Sequence, residues 1–259
     1  MPTHPKLSRR TLLKAAGGLS AALLGGCDEI TRSERGRRIL ASTDKLNYAL
    51  QRALGRKALA DEFTEADLSP AFRPNGNDNP ESETYQALAK GNFADWRLDV
   101  RGLVERPASF SLADLRGMPS RTQITRHDCV EGWSCIGKWS GARLSHLLDQ
   151  VGLKPPARYI VFQCADEWPG EGFSPPVPYY ESIDLDDAFH EQTILAYEMN
   201  GQTLPIPHGA PLRLRVERQL GYKHAKYVMA IEAVESFENI GGGKGSYWAD
   251  NDYAWYAGI

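Results

Sequence analysis

Polar and apolar positions change period several times along this 259-residue chain, and each change marks an element. In "STDKLNYALQRALG", Leu46, Leu50 and Leu54 recur at every fourth residue, with Ser42 suited to cap the start and Gly55 the end. That spacing predicts an amphipathic helix over 42–55 whose leucine stripe packs against the rest of the protein. "SPAFRPNGNDNPESETY", Ser69 to Tyr85, crowds Pro, Asn, Asp and Gly and predicts a long loop. Period two begins at "WRLDVRGLV", where Trp96, Leu98 and Val100 share one face and Arg97, Asp99 and Arg101 the other, as in a half-buried strand. "SLADLRGM" predicts a short capped helix and "RTQITRHDC" a strand. "ARLSHLLDQVG" predicts a helix with Leu144, Leu147, Leu148 and Val151 on one side and Gly152 at its end. "RYIVFQCAD", "QTILAYEMNG", "PLRLRVER" and "KYVMAIEAVESF" read as strands, and "DLDDAFH" as a helical turn. Strands and short helices mix without a regular βαβ beat. The pattern predicts one α+β domain, a single mixed domain over 60–259, not a doubly wound sheet.

Composition suits that picture: 42% hydrophobic and 24% charged residues are those of an ordinary globular domain. The first 27 residues differ. "SRRTLLK" carries the twin arginines Arg9 and Arg10, and "AAGGLSAALLGG" is apolar, broken by glycines and too short to span a bilayer as a mature helix. The segment resembles a twin-arginine export signal, a pathway for proteins that are already folded. "LGGC", Leu24 to Cys27, resembles a lipoprotein box in which Cys27 is acylated after cleavage; the alternative is ordinary cleavage nearby, with Cys27 lost or left free. Residues 28–41, with "ERGRR", read as a tether, so 28–59 is tether plus helix. The whole chain carries −3, and the leader contributes Lys6, Arg9, Arg10 and Lys14 with no acid, leaving −7 on the remainder. A mildly acidic protein argues against nucleic acid as the partner.

Several motifs tempt and fail. "GGGKGS" lacks the G-x-x-x-x-G-K-[ST] form, because Glu238 stands at its first glycine and Gly245 after the lysine. No G-x-S-x-G supports hydrolase chemistry. The densest chemistry lies in "ITRHDCVEGWSCIGKW". His127, Cys129, Cys135 and His146 offer four zinc donors, but at a spacing unlike the tight pairs of closed zinc sites. A Cys129–Cys135 disulfide in an oxidising compartment is the other reading of the residues alone.

The longer phrase "RHDCVEGWSCIGKWSGARLSHLL" resembles the molybdenum-cofactor segment of the sulfite oxidase family of molybdopterin-dependent oxidoreductases. The matched frame is Arg-x-x-Cys-Val-Glu-x-Trp, then Trp-x-Gly, then a leucine-rich helix. The resemblance implies that the Cys129 thiolate binds molybdenum beside one molybdopterin per chain. Cys135 takes no role in it and reads as a small buried thiol. A second block, "HGAPLRLRVERQLGYKHAKYV", matches the family's pterin-phosphate contacts and assigns cofactor binding to His208, Arg213, His224, Ala225 and Lys226. A phosphate suits an arginine fork, a lysine point charge and backbone N–H donors. "FRPNG" is similar to the family's early pterin loop and adds Asn75, with Asp78 and Asn79 beyond it. Cys164 stands where S-oxide-reducing members have a cofactor-contacting Thr, and sulfur is the weaker partner.

The resemblance implies the family's molybdopterin-binding fold, here without the C-terminal dimerisation domain, and a monomer. C-x-x-C-H is absent, so no haem attaches in this way. Electrons are therefore expected to pass to or from a separate haem-containing partner, membrane-bound or a soluble cytochrome. Beside Cys129, Arg126 is a candidate for attracting an oxyanion or orienting an S-oxide, or else for a salt bridge to Asp128 or Glu131. Glu131 is a candidate proton relay, and Trp133 and Trp139 read as packing. The expected function is an exported, periplasmic molybdenum oxidoreductase acting on a small sulfur oxyanion or an S- or N-oxide. The alternative is a non-enzymatic periplasmic lipoprotein that keeps the fold as a binding module.

Overall fold

The computed structural model describes residues 33–168 and 176–259. The twin-arginine leader, Cys27 and the start of the tether lie outside them. The chain divides into two units, 1–54 and 55–259.

The first unit is described by helix α1, Glu34–Gly55. It starts eight residues earlier than the leucine spacing predicts. "ERGRR" belongs to the helix instead of a tether, with an exposed Glu34–Arg38 pair one turn apart. Ser42 is an interior residue whose hydroxyl donates to Ile39 O at 2.6 Å, not a cap. Leu46 and Leu50 are 61% and 48% exposed. Among the described residues no helix is long and apolar enough to cross a membrane.

The second unit holds two five-stranded sheets. The first has the order β2-β1-β10-β5-β6, built from β1 (Leu98–Gly102), β2 (Ala108–Phe110), β5 (Tyr159–Trp168), β6 (Val177–Asp184) and β10 (Val228–Val234). The second has β3 (Ser120–Cys129), β4 (Trp133–Arg143), β7 (Ile194–Met199) and β8 (Gln202–Thr203) in a row, with β9 (Arg213–Arg215) also on β7. Helices α2 (Glu83–Lys90), α3 (Leu112–Gly117), α4 (Leu144–Val151), α5 (Leu185–Ala188) and α6 (Tyr247–Asp250) fill the connections. All ladders are antiparallel except β1 on β10.

The alternation seen in the sequence explains the core. Trp96, Leu98 and Val100 are buried, as are Leu144, Leu147, Leu148 and Val151 of α4. They join Ile160, Phe162 and Ile231 of one sheet and Leu195 and Leu214 of the other in one apolar cluster. A smaller cluster of Trp139, Ile194, Ala196, Met199 and Leu204 covers other positions of the second sheet. With β7 contributing to both clusters, its near-continuous apolar run is explained. Asn200 and Gly201, both at positive φ, make the turn from β7 to β8.

The loop predicted through Tyr85 ends at Ser82, whose hydroxyl caps α2 and leaves Tyr85 buried within the helix. Strand β4 is the main element that the periodicity does not predict. It carries Gly137 and Gly141, which have no side chain to mark a face. A Cβ at Gly141 would lie 2.2 Å from Leu195 O, so the close strand approach requires glycine there.

Candidate functional site

Strands β3 and β4 form one hairpin, and Cys129 sits at its tip. Cys129 pairs with Trp133, and Gly132 closes the turn at φ 87° with its N–H donating to Cys129 O at 3.0 Å. The pleat decides which neighbours accompany the thiol. Thr125 and His127 are buried, and Cys129 follows them at period two, half-buried. Arg126 and Asp128 take the opposite face. Arg126 pairs with Asp128 at 3.0 Å with its side chain 57% exposed. The arginine three residues before Cys129 is therefore not brought to the thiol, which departs from its candidate catalytic role. Arg73, 5.8 Å over the Trp133 ring, is a cation that does act on the Cys129 thiol. Burial pushes that thiol up, the charge of Glu131 adds to the rise, and Arg73 and Arg213 oppose it. Glu131 lines the same opening, its Oε2 accepting from Trp133 Nε1 at 2.9 Å.

Among the described residues Cys129, Cys135 and Cys164 are free. Cys129 and Cys135 are not joined, and Cys135 points its sulfur at Ala71 O, 3.8 Å away. His146 lies on the exposed side of α4, and no group of three or more metal-ligating side chains assembles among the described residues. The disulfide and the four-donor zinc arrangement are both absent from this geometry.

The Ser69–Ser82 loop reaches the site through one aromatic plug. Phe72 packs on Trp139 (5.4 Å), His208 (5.5 Å) and His127 (5.7 Å), and a Cβ at Gly137 would meet its ring at 3.0 Å. Ser69 fastens the loop to β4 by accepting from Ile136 N at 2.9 Å. Three residues beyond Phe72 the chain enters the cleft with Asn75, Gly76 and Asn77. Asn77 holds the centre: its side chain donates to Asp166 at 2.6 Å, and its carbonyl accepts from Tyr227 Oη at 3.1 Å and from Lys226 Nζ. Asn79 instead accepts from Gln86 at 3.0 Å, and Asp78 acts on Lys226 only through its charge.

The third wall is cationic. Gly209, at φ 110°, sits 3.0 Å from Lys226 Cβ and 3.1 Å from Arg213 Cβ when given a Cβ, so glycine lets these two side chains stand side by side. Arg213 is fully buried. One nitrogen donates to His208 O at 3.0 Å, while Nε and Nη2 have no partner. Burial and then Arg215 push Arg213 down to about 9. Burial and then Arg213 push Lys226 down to about 7, and the same causes push His208 down to about 4, its Nδ1 also unpartnered. His224 is buried, lines the cleft, and has Nε2 3.0 Å from Gln219 O. Ala225 is buried and its carbonyl accepts from Leu214 N at 2.8 Å. Cys164 contributes a weak 3.9 Å contact to Phe162 O and is pushed well up by burial.

Buried cations crowded together with no acid hydrogen-bonded to them are costly unless an anion completes them. Arg213, Lys226 and His208 therefore fit the phosphate end of a cofactor, and the half-buried Cys129 thiol fits a soft metal. Cys129, Glu131, Asn75, His224 and Lys226 open on one cleft. Sequence reasoning misses Asn77, Asp166, Arg73 and an aromatic wall that includes Trp168, Tyr222, Trp248 and Tyr253. The signal for Asn77 was present in "RPNGNDN"; the wall depends on contacts between distant segments.

Comparison with known proteins places this geometry. The domain described as an oxidoreductase molybdopterin binding domain matches residues 85–239. A protein of Azospira oryzae, provisionally named protein-methionine-sulfoxide reductase subunit YedZ1, is 36% identical over 97% of this chain and 88% of its own length. The protein-methionine-sulfoxide reductase catalytic subunit MsrP of Ralstonia nicotianae is 30% identical over 100% of this chain and 77% of its own length. Among solved structures, the sulfane dehydrogenase SoxCD of Paracoccus pantotrophus is similar with a TM-score of 0.48 and 23% identity, covering 60% of this chain and 45% of that one.

Proposed function

Because the chain belongs to the sulfite oxidase family of molybdopterin-dependent oxidoreductases, we propose that it is the catalytic subunit of a reductase of organic S-oxides, methionine sulfoxide foremost. The supporting observation is that the Cys129 thiol and Lys226 line one cleft that also carries an aromatic wall, with the buried Arg213 standing beside Lys226. Its relatives carry the same assignment in their names.

In this reading Cys129 supplies the protein's ligand to molybdenum. Arg213, Lys226 and His208 hold the pterin phosphate, with Asn75, His224 and the backbone at Ala225 along the ring edge. Asp78 acts on Lys226 through its charge, whereas Asn79 is held by Gln86 and Cys164 contacts Phe162 O. The bound cofactor supplies two-electron oxygen-atom transfer. The balance is one S-oxide, two electrons and two protons giving one thioether and one water. The chain's own part is to exclude bulk water, orient the S-oxide and carry protons. Asp166 lies on the cleft, and burial raises its carboxyl toward the protonated form, while Asn77 holds its position. Glu131 is the second carboxyl there. Electrons arrive from a separate haem protein of the membrane. The leader at Arg9 and Arg10 takes the folded chain to the periplasm, and lipid at Cys27 keeps it near that partner.

The test uses protein from a host that makes molybdopterin. Metal analysis is expected to find stoichiometric molybdenum, and reduced viologen to drive methionine sulfoxide reduction faster than ferricyanide is reduced by sulfite. Cys129→Ser is expected to lose the metal and the turnover together. Stoichiometric zinc without pterin fluorescence, or sulfite oxidation as the faster reaction, overturns this reading.

A further inference from the structure

The family's domain match ends at residue 239, but the cleft does not. The segment after it turns back over β6 and is tied down at several points. Ser246 caps α6, accepting from Ala249 N at 3.0 Å. Asp250 accepts from Tyr180 Oη at 2.6 Å and from Gly242 N at 2.7 Å. Trp255 donates to Ser182 Oγ at 2.8 Å, Tyr222 Oη donates to Ala254 O at 2.7 Å, and Ala257 N donates to the buried Gln219 side chain at 3.1 Å. At Gly245, φ 99°, a Cβ would strike the Phe237 ring at 2.6 Å, so the turn into α6 requires glycine.

The anchored tail delivers Tyr247, Trp248 and Tyr253 to three rings from the body of the domain. Centroid separations run without a break: Tyr179–Tyr247 5.7 Å, Tyr247–Trp168 5.7 Å, Trp168–Trp248 5.3 Å, Trp248–Tyr253 5.0 Å and Tyr253–Tyr222 5.5 Å. Trp248 and Tyr253 line the cleft that holds Cys129, and Tyr253 is still 42% exposed. Rings already satisfied by packing are normally covered, whereas these keep surface toward the opening.

We propose that Trp248 and Tyr253, contributed by the tail beyond the domain match, are specificity-determining residues that hold the carbon chain of an organic S-oxide. The proposal rests on the S-oxide reading above and names which part of the substrate this wall recognises. Ring faces attract alkyl and thioether groups, which lose water on contact. A sulfite ion gains nothing from them, and the charge of Glu131 on the same cleft repels it. A neutral S-oxide with an apolar arm satisfies both conditions.

Trp248→Ala and Tyr253→Ser test this in the cofactor-loaded enzyme, with Trp248→Phe as the milder change should the alanine variant fail to fold. KM for methionine sulfoxide is expected to rise roughly tenfold, more than any fall in kcat, with molybdenum content retained. KM for dimethyl sulfoxide, which lacks the arm, is expected to move less. Unchanged KM for methionine sulfoxide in Tyr253→Ser and in a folded Trp248 variant overturns the proposal. Tryptophan fluorescence separates this failure from that of the S-oxide reading. If the wild type reduces no S-oxide, the functional reading falls; quenching by methionine sulfoxide that Trp248→Phe abolishes then keeps the wall assignment, and no quenching in the wild type removes it as well.

Discussion

Arg213 and Arg215 stand two residues apart on β9, both fully buried and both over the Trp139 ring, at 5.0 and 4.4 Å. Their surroundings differ. Arg215 donates to Glu217 at 2.8 and 2.5 Å, lies 3.0 Å from His127 Nδ1 and reaches Thr125 Oγ1 at 3.4 Å. Glu217 accepts in turn from Gln123 at 2.8 Å. Arg213 has one backbone carbonyl and two unpartnered nitrogens. Burial alone therefore does not mark a functional cation; burial without an acid does. Arg215 completes a closed polar network, and Arg213 is the end of an open one.

The largest expected effect separates the pair. Arg215→Ala leaves Glu217 buried and uncompensated, and is expected to destabilise the cofactor-free protein by about 3–5 kcal/mol in urea unfolding. Arg213→Ala removes a charge to which no acid is hydrogen-bonded. It is expected to leave cofactor-free stability unchanged or higher, while pterin and molybdenum content fall. Equal destabilisation by the two substitutions breaks the distinction between them.

The next effect is a pH slope. Lys226 titrates near 7 in the folded chain, below its ordinary 10.5. Between those values the unfolded chain binds a proton that the folded chain has lost, so stability rises with pH across that window. Cofactor-free wild type is expected to gain stability from pH 7 to about pH 10 relative to Lys226→Met, as read by urea midpoints. A slope shared by both proteins assigns the titration elsewhere. Cofactor binding is expected to shrink the slope, because an anion keeps the proton on Lys226.

The smallest effect sharpens the role of spacing. Gly209→Ala places a Cβ against both cations at a positive φ, and is expected to cost about 1–3 kcal/mol in unfolding experiments and to lower cofactor content. Unchanged content would show that the side-by-side placement of Lys226 and Arg213 does not control binding.

Much of the fold was legible where one face is buried. The period-two run around Leu98 and the leucine stripe of α4 each mark a buried face, and both form as read. Strand β4 was not legible, because glycines occupy the positions where a pattern is recorded. Helix α1 starts earlier than its leucine spacing indicates, since a charged run can be helical. At the site, Cys129, Lys226 and His224 were found through their motif context and meet on the cleft. Of the two readings of Arg126, the salt bridge to Asp128 is the one that forms, because the strand pleat puts it on the face away from Cys129. Asn77 was passed over for Asp78 and Asn79, because a loop has no period to choose among neighbours. The aromatic wall needed the tail to fold back, which no local pattern records.

Strand β10 has a consequence for the order of synthesis. It is the middle strand of its sheet and pairs in parallel with β1, yet it is the last strand made. The Cys129 hairpin is local and closes early, whereas the cationic wall and the centre of the first sheet emerge near the end of the chain. A nascent chain thus presents a thiol at a hairpin tip with no pocket behind it. Both sides of the cleft exist only once β10 has joined its sheet, which makes completion of that sheet the event that sets a pocket behind the thiol.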